Sequence, residues 1–157
     1  MMRTQIKTAL ALTSGMVIGA SVGLSQSTSS AQTAHDNDQV IKNVASLNDL
    51  CLAHALVGQL EEALIDCNIA LQLRPNDLAV LDSRGFVYLK LGQFDNAIAD
   101  YNAVLKLKPK LAISLYNRGL AKQKKGDSAG GDADIAAAKA IDPKIADKLT
   151  GYYYYMR

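Results

Sequence analysis

Apolar residues in the middle of this chain recur every three or four positions, in two runs parted by a short break. The first run takes in Val80, Leu81, Phe86, Val87, Leu89 and Leu91. That spacing lays them along one side of a helix, where strict alternation would have indicated a strand. Leu91-Gly92-Gln93-Phe94 interrupts it, with Gly92 placed where a helix ends in the left-handed conformation that glycine adopts without a Cβ penalty. The second run, Ala97, Ile98, Tyr101, Val104, Leu105 and Leu107, predicts another helix, which Pro109 stops. The pattern is that of a helical hairpin. One hairpin cannot hide its own apolar stripe, so it needs neighbours.

The neighbours are present. Pro75, Pro109 and Pro143 recur at a fixed step of 34, and so do Gly58, Gly92 and Gly126. The same step links Leu47, Leu81 and Leu115, then Leu73, Leu107 and Ile141, then Ala63, Ala97 and Gly131, and finally Asp66, Asp100 and Asp134. Six columns in phase mark stacked repeats, over 44–77, 78–111 and 112–145. Beyond them, Asp142-Pro143 reads as an N-cap followed by a first-turn proline. Ile145, Leu149, Tyr152 or Tyr153, and Met156 then fall at helical spacing, so residues 146–157 are expected to form a capping helix with a tyrosine-rich tail. Residues 32–43 read as a linker and the start of the first helix, with a flexible entry over 32–38 and Asp36 or Asp38 as its cap. Gly130-Gly131 falls in the first turn of a helix, where each glycine costs about 1 kcal/mol relative to alanine. That turn is expected to be the softest of the stack.

The period of 34, the segment Asn117-Arg118-Gly119, the turn Leu91-Gly92 and the stretch Ala97-Ile98-Ala99-Asp100-Tyr101 ending in Leu107-Lys108-Pro109 resemble the tetratricopeptide repeat. The resemblance covers residues 44–145. It implies an all-α, right-handed α-solenoid of three helix-turn-helix hairpins plus a C-terminal capping helix. The small residues that the family needs where helices touch stand at Cys51, Gly85 and Gly119, and at Ala63, Ala97 and Gly131. The family also implies a concave groove lined by the first helix of each hairpin, here through Asn48, Leu52 and Leu56, then Asp82, Phe86 and Lys90, then Tyr116, Leu120 and Lys124. An apolar floor with Phe86 and Tyr116 as anchors and Lys90 and Lys124 at one edge suits a peptide with apolar side chains and an acidic group. The subclass that clamps a chaperone's terminal carboxylate is not matched, because Leu52, Ser83 and Ile113 stand where the clamp needs polar or basic residues and only Asn117 fits.

The N-terminus changes the setting. Arg3 and Lys7 precede a mostly apolar stretch from Thr8 to Leu24, and Ser29-Ser30-Ala31 offers small residues for cleavage before Gln32. This is the form of a secretory signal peptide over residues 1–31, too short and too rich in Gly and Ser for a retained span. The first cysteine, Cys51, lies far beyond it, which argues against a lipid-modified N-terminus. The leader carries two basic residues and no acid, so the remainder holds 15 basic and 15 acidic side chains. A neutral domain offers no electrostatic case for nucleic acid. The expected location is the periplasm or outside the cell.

Export bears on Cys51 and Cys67, the two thiols, because that compartment is oxidising. Helices folded back about Gln59 bring the two to one level, with facing Cα atoms about 4–5 Å apart, and a disulfide inside the first hairpin is expected. Only His35 and His54 are present, too few for a zinc site, and Asp127, Asp132 and Asp134 lack the spacing of a calcium loop. No metal or other cofactor is expected, and no nucleophile-base set or phosphate loop argues for catalysis. Arg84 and Arg118 recur against the aspartate column. They can pair within a repeat, with Asp100 and Asp134, or between repeats, with Asp66 and Asp100. The expected function is a non-enzymatic adaptor for a protein or peptide partner, in envelope assembly or secretion, as a monomer or weak homo-oligomer. The competing expectation is a structural subunit that self-associates through the solenoid ends and Tyr152 to Tyr155.

Overall fold

In the computed structural model, which describes the backbone of residues 25–154 and the side chains of residues 32–150, the described residues form seven helices. They are α1 (Ser25–Leu56), α2 (Leu60–Leu73), α3 (Leu78–Lys90), α4 (Phe94–Leu107), α5 (Ala112–Lys125), α6 (Ser128–Ile141) and α7 (Ile145–Tyr154). The chain divides into two units, residues 1–35 and residues 36–157. Of the first, residues 25–35 are helical; all that follows concerns the second. Residues 1–24 of the expected leader and the side chains of the tyrosine tail lie outside the described residues.

The second helices α2, α4 and α6 start at Leu60, Phe94 and Ser128 and stop at Leu73, Leu107 and Ile141, so the period of the sequence is also a period of structure. Each hairpin turns through a left-handed glycine, with φ of +85° at Gly58, +73° at Gly92 and +104° at Gly126. The residue after each glycine closes the preceding helix: the N–H groups of Gln59, Gln93 and Asp127 donate to the carbonyls of His54, Tyr88 and Lys122, each at 2.9 Å. Those bonds satisfy carbonyls that a helix end would leave bare. Between the first and second hairpins Asp77 caps α3 by accepting from the N–H groups of Ala79 and Val80, and within the turn of the third hairpin Asp127 caps α6 by accepting from that of Gly130.

Two buried clusters run through the stack. One joins Val44, Cys51 and Ala55 of α1 to Ala63, Cys67 and Leu71 of α2 and to Val80 and Val87 of α3. The other joins Ala97, Tyr101 and Leu105 of α4 to Leu115 of α5, Ala138 of α6, and Ile145 and Leu149 of α7. Leu149 follows Leu115 at the step of the repeats. It extends the leucine column to a fourth member, so α7 is the opening of a fourth unit in register with the others.

Two sequence expectations change here. Residues 32–43, read as a linker and the start of the first helix with a flexible entry over 32–38, lie wholly within α1, which begins at Ser25 rather than after a cap at Asp36 or Asp38. They are polar but hold neither Gly nor Pro, and Gln39 Nε2 donates to Asn43 Oδ1 one turn on at 2.9 Å; exposure alone does not break a helix. Asp142 does not cap a helix beginning at Pro143. It ends α6, and Pro143 and Lys144 form a turn before α7 starts at Ile145. Asp142 holds that turn by accepting from the Lys144 N–H at 3.1 Å and from Lys148 Nζ at 2.6 Å.

Candidate functional site

The first helices are held in register by an arginine on each of the second and third hairpins. Arg84 donates through Nε and Nη2 to the two carboxylate oxygens of Asp100, both at 2.8 Å, and through Nη1 to Asn68 Oδ1 of the preceding hairpin at 2.9 Å. Arg118 repeats this with Asp134, both bonds at 2.7 Å, and with Asn102 at 2.8 Å. The alternative left open by the sequence is thereby resolved: the ion pairs lie within hairpins, and asparagine makes the link between them. In the first hairpin the position belongs to Leu50, and Asp66 instead lies 2.7 Å from His54 Nδ1.

With α1, α3 and α5 so placed, their side chains and those of α7 enclose a pocket of about 300 Å³. Its walls are Leu52 from α1, Phe86 from α3, Ile113 from α5, and Ile145 and Leu149 from α7. Its polar lining is Asp82, Ser83, Asn117 and Lys148. Asp82 reaches across to α5, where the Ser114 hydroxyl donates to its Oδ1. One hairpin earlier the residue equivalent to Ser114 is Val80, which has no hydroxyl to donate, and Asn48 Oδ1 is buried without a hydrogen-bond partner.

Burial pushes the Asp82 carboxyl above its ordinary value, against the smaller downward pull of Ser114. Asp134 is opposite in sign. Burial pushes it up, but Arg118 and Lys122 together hold it below the ordinary value. Asp82 therefore binds its proton more tightly in the native chain than in the unfolded one, and its ionised form opposes folding until pH falls through the raised pKa. The Asp134 contribution is present above the unfolded value of 3.8 and disappears as pH falls through the lowered native one. In urea melts at pH 7, Asp82→Asn is expected to be at least as stable as the parent chain, and Asp134→Asn less stable by about 2 kcal/mol. Both differences are expected to shrink towards pH 3. An Asp134→Asn deficit that stays constant with pH would contradict the ion-pair account.

The family profile described as TPR repeat matches residues 85–126. Among solved structures the chain is similar to MamA, residues 41 to the end, from Desulfovibrio magneticus RS-1, at 26% identity and TM-score 0.61 over 72% of this chain and 63% of that one. It is also similar to a tetratricopeptide repeat protein from Parabacteroides merdae, at 29% identity and TM-score 0.58 over 65% of this chain and 40% of that one. The chain is a tetratricopeptide-repeat (TPR) protein. The first TPR of Spaghetti bound to the HSP90 peptide SRMEEVD shares the fold at 18% identity, with TM-score 0.62 over 69% of this chain and 94% of that one. No curated protein sequence matches the chain. The chain spans less than two thirds of the length of the MamA and Parabacteroides structures.

TPR repeats are in general protein-interaction modules rather than enzymes. Of the groove residues expected from the family, the structure brings Leu52, Asp82 and Phe86 to the pocket. Asn48 stands one hairpin back, and Leu56 and Tyr116 pack against the two buried clusters. Leu120 is half-buried and Lys124 exposed, and neither lines the pocket. Lys90, expected at the edge as a cation for an acidic group, is engaged within the protein. Its Nζ donates to the Ala55 carbonyl at 3.1 Å and sits 5.3 Å from the centre of the Phe86 ring. The contribution of Ile145, Lys148 and Leu149 was missed, although the step of 34 from Leu115 to Leu149 signals it. Cys51 and Cys67 are fully buried and joined as a disulfide, with Cα atoms 5.4 Å apart.

Proposed function

We propose that this TPR protein is an exported, non-enzymatic adaptor that holds a segment of a partner protein against its first helices, in envelope assembly or secretion. The observation that carries the reading is the pocket, to which α1, α3, α5 and α7 each contribute. A surface drawn from every first helix is continuous across the repeats, which suits an extended segment better than a small molecule. The placement outside the cytoplasm rests on the leader pattern of residues 1–31 and on the paired cysteines. Cleavage after Ala31 leaves α1 as residues 32–56, and N-terminal sequencing of the exported chain is expected to begin at Gln32. Affinity capture from envelope extract is expected to recover partners that a Leu52→Gln, Ile113→Gln double variant, matched to the parent in thermal melting, loses about tenfold. Equal recovery of every partner would remove the groove from the account.

One observation favours self-association as a second reading. The first hairpin exposes Leu50 (48%), Val57 (72%), Ile65 (59%) and Ile69 (40%). The later hairpins have Arg84 and Arg118 in place of Leu50, Ala99 and Ala133 in place of Ile65, and Ala103 and Ala137 in place of Ile69. Apolar surface concentrated on the first hairpin fits a second copy placed there. In sedimentation velocity this reading requires a dimer that Leu50→Glu, Ile65→Ala dissociates; a monomer at all concentrations rejects it.

A further inference from the structure

The geometry points to a specific occupant: the pocket receives a lysine or arginine side chain of the bound segment, with Asp82 as its counter-charge. This rests on the groove reading above and adds the chemistry of what the groove selects. The walls contributed by Leu52, Phe86, Ile113 and Leu149 are apolar, and at about 300 Å³ the space suits one long side chain rather than a helix. Methylene stems of basic residues lie readily along such walls while the charged head seeks a polar partner.

That partner is supplied by Asp82. Ser114 donates to its Oδ1, and Oδ2 receives a hydrogen bond from none of the described residues. The protein's own nearby cations do not neutralise it. Lys148 at the rim is paired with Asp142 at 2.6 Å, and Lys90 is spent on the Ala55 carbonyl and the Phe86 ring. Among the described residues no cation is paired with Asp82, a carboxylate in a largely apolar setting, which is costly unless a ligand supplies the charge. An acidic side chain entering the same space would face it at close range with little solvent between them. The pocket therefore selects against the acidic segment that the lysines suggest in the sequence alone. A guanidinium or ammonium group supplies a charge-assisted hydrogen bond at Oδ2 that none of the described residues makes.

The test is selection of a phage-displayed random heptapeptide library on the purified chain, followed by synthesis of the consensus peptide. The expected consensus carries Lys or Arg at one register beside apolar residues. Replacing that residue by glutamine is expected to weaken binding about tenfold on the parent chain and on Asp82→Glu, and less than about twofold on Asp82→Asn. Circular dichroism melts establish that both variants fold. A consensus that is acidic or uncharged at every register, or a basic preference that persists in Asp82→Asn, overturns the inference. If such a consensus still loses affinity on Leu52→Gln, the groove reading survives without it. Peptides indifferent to Leu52→Gln, or a library from which nothing is enriched, overturn both.

Discussion

Gly119→Ala is expected to lower the stability of the folded chain by about 3 kcal/mol. A Cβ built at Gly119 lies 2.7 Å from Ile135 Cγ1, 2.8 Å from the carbonyl oxygen of Gly131 and 3.2 Å from the Ile135 nitrogen. Two of these atoms are backbone of α6, so a shifting side chain cannot relieve the clash and the helices must part. The relation is mutual, since a Cβ at Gly131 comes within 2.7 Å of the Gly119 carbonyl oxygen. At Gly85 the obstacle is the ring of Tyr101 at 3.0 Å, with no backbone atom among the nearest, and Gly85→Ala is expected to cost about 1 kcal/mol. Urea unfolding at neutral pH ranks the pair. If Gly119→Ala loses no more than Gly85→Ala, α5 and α6 do not approach each other as closely as described.

Breaking the link between Cys51 and Cys67 is expected to cost about as much, roughly 3 kcal/mol for a loop of this size. The cysteines are 16 positions apart and fully buried, joining α1 to α2. The first hairpin lacks the arginine that ties the second and third to their predecessors. A Cys51→Ala, Cys67→Ala double variant is expected to move the guanidinium midpoint down, with the loss largest in residues 44–73 when followed by hydrogen exchange. Reductant is expected to do the same to the parent chain and nothing to the variant. Thiol titration of the untreated, unfolded protein is expected to find none free; two would show that the bond does not form.

The helical hairpins were legible because their cause is periodic. A glycine at every hairpin turn and a leucine in the core, each recurring at the one fixed step, declare themselves in a single sequence. The partner of each arginine was not legible, since Asp66, Asp100 and Asp134 share one column and only the packing of α3 on α4 and of α5 on α6 brings the intra-hairpin aspartate within reach. The contact that Lys90 makes was not legible for a related reason. Its hydrogen bond goes to the carbonyl of Ala55, far back in the chain and in another hairpin, and a carbonyl carries no side-chain signature. The start of α1 was not legible, since residues 32–38 are mostly polar yet hold neither Gly nor Pro to stop a helix. The Gly130-Gly131 turn was read by propensity alone, which misses what Gly131 permits in the approach of α6 to α5.

The bond between Asp82 and Ser114 gives the hairpins a fixed order, although their common period suggests interchangeable parts. Were residues 78–111 copied in tandem, the first copy of Asp82 would meet a second Val80 in place of Ser114 and be stranded beside a methyl group. Lengthening this protein by gene duplication therefore requires a compensating hydroxyl at the new junction, or else the loss of the acid.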